Sequence, residues 1–447
     1  MAGTGISAGE CLWDGLSICV RAVYIGLVVG LVVGTFRLAE ASVTLWLVPL
    51  LGQSKAHSWS IPLCFACMVP LAWAIGFLVR GMPDISGSGI PQVELTLHDG
   101  RRCMWSKLLW AKFLGSWLAI AGGLSLGREG PCIQMGAAVG VGVNAVWGQK
   151  ALRQNPAIIA GAAAGLGAAF GAPLAGCVFV YEEMRCSLRP WVFLGVLVAV
   201  FTAQASIGLG FGLHRILPFT GLRAPSPSQY GLVAVFGLVI GLAGVFYTHC
   251  LLALKDADAR QQVVPQNLRT LPALWCAAGL MFVEPRLLGG GDSLIFALNS
   301  LSTQAGATLQ STLFVLLFLG GIKFVFALCS YTGGVPGGLL MPMLCIGALF
   351  GAAAGQWLGH MQWIDPEQAT GFILLGMSGY FAAIVRAPLT GIVLTLEMTG
   401  AWEFLPSCLV VGYAAYVLAN ATGTAPVYDS LKARVRLAHT RGTAPAA

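Results

Sequence analysis

The chain reads as a succession of long apolar runs separated by short polar or glycine-rich breaks. The runs fall at 19–34, 61–79, 105–126, 156–180, 190–211, 229–254, 308–329, 340–358, 371–385 and 404–419. A helix needs roughly 20 predominantly apolar residues to cross a bilayer. The pattern therefore predicts an all-α polytopic membrane protein of ten or more helices, several of them short, tilted or interrupted by Gly and Pro. Residues 1–18 read as a short surface segment. Met1 to Trp13 lacks a basic leader region, so no cleavable signal peptide is expected.

The breaks matter more than the spans. Gly127-Arg128-Glu129-Gly130-Pro131 places a glutamate and an arginine between two apolar stretches, Phe113 to Leu126 and Cys132 to Trp147, that hold no other charge. An ionisable residue at membrane depth costs roughly 2.5 kcal/mol or more, so it reads as a site. Pro131 suits the first turn of a helix, whose exposed N–H groups and partial positive charge favour an anion. A second break, Gly81 to Pro91, carries Ser88 between Gly87 and Gly89, and a regular helix cannot run through it. A third, Gly333 to Pro342, contains no acid. Three such breaks can aim helix N-termini at one point, where convergent N–H groups and a hydroxyl offset the burial of an anion and would repel a cation.

Two segments repeat. Aligning Pro173 with Pro388 (388 − 173 = 215) places Ala172, Leu174, Gly176, Val178 and Glu182 on Ala387, Leu389, Gly391, Val393 and Glu397. Aligning Pro131 with Pro342 (342 − 131 = 211) places Gly136 on Gly347. The chain thus divides into a first repeat of about 19–213, a linker of about 214–230, a second repeat of about 231–430 and a short basic tail, 431–447. Interrupted helices at matching places in two repeats, commonly inverted ones, point to a transporter with a midplane substrate site.

Composition narrows the class. Hydrophobic residues make up 57% of the 447 residues and charged ones only 10%, which excludes an ordinary water-soluble domain. The net charge of +7 is gathered in short basic segments, the last holding Lys432, Arg434, Arg436 and Arg441. Basic segments favour the cytoplasmic side, so the C-terminus is expected inside, with membrane lipid and not nucleic acid as its surroundings. The Cys64–Cys67 pair lies in an apolar helix with no second pair nearby and reads as packing. His-Glu-x-x-His, Gly-x-Ser-x-Gly and Walker-type motifs do not occur, and the six histidines are dispersed, so neither an enzyme nor a metal site is expected.

Gly87-Ser-Gly-Ile-Pro91, Gly127-Arg-Glu-Gly-Pro131 and Gly337-Gly-Leu-Leu-Met-Pro342 together resemble the three signatures of the CLC chloride channel and transporter family, in the family's order and spacing. Glu182-Glu183-Met184, Arg386 to Gly391, Glu397 to Thr399 and Pro426-Val-Tyr428 extend the resemblance over nearly the whole chain. It implies a chloride/proton antiporter of the bacterial type without cofactor, working as a homodimer in the inner membrane. Glu129 matches the gating glutamate and Glu183 the internal proton glutamate. Ser88, Tyr428 and the N–H groups of Leu339 and Leu340 match the chloride donors, with Gly87, Gly89, Gly130, Gly337, Gly338, Arg128 and Lys112 in support. Serine in the first signature suggests chloride over nitrate, and the intact second signature is unlike the fluoride-exporting branch.

Neighbouring residues on a helix point about 100° apart, so Glu182 and Glu183 serve different purposes. Glu182 repeats as Glu397 and reads as structural; Glu183, whose repeat mate is Met398, reads as the proton station. The alternative within the family is a passive voltage- or pH-gated chloride channel. Two features depart from the family pattern: Leu340 stands where an aromatic is usual, and no cytoplasmic regulatory module follows Arg441. Arg128 is expected to pair with an acid, Glu94 being one candidate. Lys112 reads either as a source of positive potential or as a lysine reaching for the interface, while Lys323 and Arg386 acquire no role.

Overall fold

The computed structural model describes residues 8–54, 60–148, 151–187, 189–212, 217, 219, 221–261, 263–301 and 309–440. Among these residues the chain is helical, without strands. The first half holds α1 (Ala8–Ser54), α2 (Ser60–Gly81), α3 (Ile90–Asp99), α4 (Trp105–Ala121), α5 (Glu129–Val146), α6 (Pro156–Phe170), α7 (Pro173–Glu182) and α8 (Pro190–Phe211). The second holds α9 (Tyr230–Arg260), α10 (Leu271–Val283), α11 (Asp292–Leu301), α12 (Leu309–Tyr331), α13 (Leu340–His360), α14 (Phe372–Val385), α15 (Pro388–Thr399) and α16 (Leu405–Ala421); α17 (Val427–Thr440) follows. Among the described residues eight segments are long and apolar enough to cross a membrane, beginning with Gly15–Val43 and ending with Trp402–Ala421.

The two sets of eight correspond in order, as the repeat predicts. The correspondence reaches the backbone. Pro83–Ile85 and Pro285–Leu287 each form a single 3-10 turn before α3 and α11. The turns that follow share their left-handed glycines, with φ of 69° and 89° at Gly87 and Gly89 and of 59° and 94° at Gly289 and Gly291. Gly127 and Gly338, repeat mates at 338 − 127 = 211, donate their N–H groups to each other's carbonyls at 2.9 and 2.7 Å. A reciprocal pair of this kind marks a local two-fold axis, and it runs between the second and third signatures.

Burial follows the same division. α5, α6, α13 and α14 are buried almost throughout, whereas α1, α2, α9 and α12 turn Leu31, Phe77, Phe246 and Phe318 outward. Small residues permit the inner helices to touch: a Cβ at Gly136 would strike the Gly161 carbonyl, and one at Gly347 would stand 2.5 Å from the Gly376 carbonyl. Close backbone approach through small residues is how helices pack where solvent supplies no hydrophobic drive.

Several sequence expectations are corrected. Residues 8–18 are helical and begin the 47-residue α1, with which the first span is continuous. The run 156–180 is two helices, because Gly171 adopts φ 62° and Pro173 opens α7. Within the expected tail, residues 431–440 continue α17, which is bolted to the body by ion pairs; Arg441 and the rest of the tail lie outside the described residues, as do 213–216, 218 and 220 of the linker.

Candidate functional site

The three signature breaks meet. Gly87 donates to the Val335 carbonyl at 3.1 Å and Gly337 donates to the Gly87 carbonyl at 3.0 Å, which joins the first break to the third. The Gly127–Gly338 exchange joins the second to the third. The first and second touch at Gly130, where an added Cβ would stand 2.6 Å from the Ser88 carbonyl. The open ends of α3, α5 and α13 are thereby brought into one place. Each such end leaves N–H groups without intrahelical acceptors and carries partial positive charge.

Four successive carbonyls of the first break, those of residues 84 to 87, accept hydrogen bonds from side chains. Gln134 Nε2 donates to the Asp84 carbonyl at 2.8 Å and Gln92 Nε2 to that of Ser86 at 2.9 Å. Lys112 Nζ donates to the Ile85 and Gly87 carbonyls at 2.8 and 2.7 Å. With these four acceptors engaged, most of the loop's oxygens are turned to side chains and away from the helix ends. Lys112 is fully buried, so it does not reach for the interface.

Ser88 is buried, and its Oγ accepts from the Ile90 N–H at 3.4 Å. Leu339 precedes α13 and Leu340 begins it, both fully buried, with Leu339 N–H and Leu340 N–H at the helix's open end. Tyr428, in the first turn of α17, is fully buried, and its hydroxyl has no hydrogen-bond partner among the described residues. Tyr331, Glu183, Glu129 and Tyr247 lie within electrostatic range of that hydroxyl.

Glu129 is the first residue of α5 and is fully buried. Neither carboxylate oxygen has a hydrogen-bond partner among the described residues. The carboxylate lies over the bare backbone of Gly127 and Gly338; a Cβ on Gly338 would stand 2.5 Å from Oε2. No side chain bonds this carboxylate among the described residues, so its position rests on the backbone at the start of α5.

Arg128 corrects one expectation. Its guanidinium pairs with Glu40 at 3.0 Å and Asp292 at 3.3 Å, tying the Glu129 turn to α1 and α11. Glu94 instead accepts from Lys432 Nζ at 2.6 Å, and Lys432 also meets Asp429 at 2.8 Å. Asp429 pairs with Arg185 at 2.8 Å. Glu183 follows α7 at the edge of this network; Glu94, Asp429, Arg185 and Lys432 are its charged neighbours, and no protein group hydrogen-bonds its carboxylate among the described residues.

Lys323 and Arg386 now have roles. Lys323 Nζ donates to the Leu287 and Gly289 carbonyls, both at 2.8 Å, repeating what Lys112 does 211 residues earlier. Arg386 ends α14 with φ 70° and ties that turn to the Ala419 and Thr424 carbonyls. The offset of 211 that aligns Pro131 with Pro342 also aligns Lys112 with Lys323, a signal present in the sequence. Asp292, Glu40, Gln92, Gln134 and Tyr331 were absent from the expected site. Cys64, of the Cys64–Cys67 pair, packs its Sγ 4.0 Å from Met281 Sδ.

Comparison with known proteins adds the family. The H(+)/Cl(-) exchange transporter ClcA of Vibrio cholerae serotype O1 is 33% identical over 436 residues, covering 93% of this chain and 89% of that protein. A slow cyanobacterial Cl-/H+ antiporter superposes with a TM-score of 0.86 at 26% identity, over 94% of this chain and 97% of the other. A eukaryotic CLC transporter (TM-score 0.77, 22% identity, 93% and 74% covered) and a CLC-type fluoride/proton antiporter (0.75, 19%, 95% and 99%) share the fold. Residues 71–420 match the family described as voltage gated chloride channel, and with the repeat, the joined signatures and these relatives the chain belongs to that family.

Proposed function

We propose that this protein is a secondary active antiporter that moves chloride across a bacterial inner membrane in exchange for protons. The observation that carries the reading is Glu129: a fully buried carboxylate without a hydrogen-bond partner, at the meeting point of helix ends whose chemistry suits an anion. The idealised cost of burying an ion of this kind is on the order of 20 kcal/mol, so the site must supply donors for whichever anion occupies it. Ser88, Tyr428 and the N–H groups of Leu339 and Leu340 supply them to chloride. Glu129 competes for that place as a carboxylate and gives it up when protonated. One group thereby links the two movements.

Glu183 is the inner proton station. Like Glu129, it lies within electrostatic range of the Tyr428 hydroxyl, and no protein group hydrogen-bonds its carboxylate among the described residues. A passive channel of the same family has no use for an acid at this position, which favours the exchanger. The protein works as a homodimer with one pore in each subunit, and α17, with Lys432, Arg434 and Arg436, lies at the cytoplasmic face, as its basic residues favour.

Reconstituted Glu129→Ala and Glu183→Gln variants test the roles. Glu129→Ala is expected to carry chloride without moving protons. Glu183→Gln should lose proton movement and retain part of the chloride flux. Proton movement that persists at the wild-type ratio in both variants would overturn the assignment.

A further inference from the structure

Tyr331 closes α12, five residues before Pro336, and no signature contains it. Its side chain is buried, and its hydroxyl stands 3.3 Å from the Ser88 nitrogen, from which it accepts a hydrogen bond. A Cβ on Gly87 would lie 3.1 Å from the same oxygen, so the phenol reaches the bare backbone of the first signature. A phenolic oxygen that accepts one hydrogen bond still has its own proton to donate. Apart from the neighbouring Ser88 hydroxyl, no protein acceptor reaches that proton among the described residues.

Two other hydroxyls beside it are in the same condition. Ser88 Oγ accepts from Ile90 N–H and faces the Tyr331 hydroxyl, so at most one proton of that pair is spent between them, and the Tyr428 hydroxyl has no partner among the described residues. Unspent O–H donors in a buried site are costly unless an acceptor joins them. The Asp84, Ile85, Ser86 and Gly87 carbonyls already accept from Gln134, Lys112 and Gln92, and a buried anion is an acceptor these protons fit.

The ring is also polarised. Lys255 Nζ of α9 lies 4.6 Å from the Tyr331 ring centroid. A cation over a phenol face withdraws density from the oxygen and makes its proton a better donor. Asp258, one turn further along α9, accepts from Gly333 N–H at 3.0 Å and holds the turn that follows the tyrosine.

We propose that Tyr331 is a third hydroxyl ligand of the anion site, donating to chloride alongside Ser88 and Tyr428. The proposal rests on the chloride-site reading given above. It also adds a polar donor to a site in which Leu340 offers only its backbone.

Chloride titrated calorimetrically into purified wild-type, Tyr331→Phe, Tyr428→Phe and Ser88→Ala proteins tests it. Tyr331→Phe keeps the ring and the lysine contact and removes only the hydroxyl. It is expected to weaken chloride binding by about tenfold, the effect of one hydrogen bond to a charged group. Were Tyr331 only a brace for Ser88, its loss would free the Ser88 N–H for chloride, and binding would be unchanged or tighter. That result, with binding weakened in the other two variants, overturns the inference alone. If Tyr428→Phe and Ser88→Ala also bind as the wild type does, the chloride-site reading itself fails. Should Tyr331→Phe not fold, wild-type crystals soaked in bromide decide: an anomalous peak in hydrogen-bond contact with the Tyr331 hydroxyl supports the proposal, and a peak touching Ser88 and Tyr428 but not Tyr331 contradicts it.

Discussion

Glu182 and Glu397, repeat mates 215 residues apart, cap each other's half of the molecule. The Glu182 carboxylate accepts from the Leu389 and Thr390 N–H groups at 3.0 and 2.6 Å, at the start of α15. Glu397 accepts from those of Leu174 and Ala175 at 3.0 and 2.8 Å, at the start of α7. Each carboxylate closes the last turn of one helix and satisfies the first turn of its counterpart. Glu182 is structural, as its repetition implies, while its neighbour Glu183 stands outside the arrangement.

This divides the functions of two adjacent residues. Glu397→Ala or Glu182→Ala removes a charged helix cap and is expected to destabilise the protein by about 1 to 2 kcal/mol, the upper range for caps. The proton-to-chloride ratio should not change. Thermal unfolding in detergent, paired with a flux measurement on the surviving protein, checks both parts. A ratio altered in Glu397→Ala would mean that the cap also steers protons.

Lys432 and Glu94 form the least exposed ion pair between α17 and the body, with 22% of the lysine side chain and 2% of the glutamate side chain exposed. Removing one partner of a buried pair leaves a charge uncompensated, at about 3 to 5 kcal/mol; Lys432's residual exposure places the expected loss at the lower end. Lys432→Met should therefore lower the unfolding midpoint sharply. The double change Lys432→Met with Glu94→Gln should recover most of it, because no lone charge remains. Additive losses in the double variant would show that the two groups act separately.

The two buried lysines make a further contrast. Each satisfies two carbonyls, so Lys112→Met and Lys323→Met should each cost about 1 to 3 kcal/mol through unsatisfied acceptors. Only Lys112 holds the loop that bears Ser88; its mate holds Gly289 to Gly291, where Gly290 occupies the serine's place without a hydroxyl. Chloride affinity should fall in Lys112→Met and stay near the wild-type value in Lys323→Met. Calorimetry on both variants distinguishes them.

The legible part of this fold was local. Long apolar runs disclosed the spans, and the signature breaks disclosed helix ends, because a helix cannot pass Gly87 to Gly89; the Gly171–Pro173 corner carries the same signal inside a run read as continuous. Glu129 was visible as a charge between apolar stretches. What the sequence hid was pairing across distance. Glu94 was one candidate partner for Arg128, yet the partner of Glu94 is Lys432, 338 residues away in the segment read as a tail, and Arg128 turns to Glu40 and Asp292. Tyr331 lies in no signature and no repeat match; only its nearness to the Ser88 nitrogen gives it meaning. Lys323 could have been found, since the repeat offset that aligned the prolines also placed it on Lys112.

The account depends most on one carboxylate serving both ions. The direct measurement uses sealed liposomes containing the wild-type protein, with chloride high on one side and pH equal on both. The account predicts that chloride moving down its gradient will drive protons the opposite way, building a pH difference where none existed. Chloride flux that equalises the gradient while pH stays level would contradict it and leave a passive chloride channel in its place.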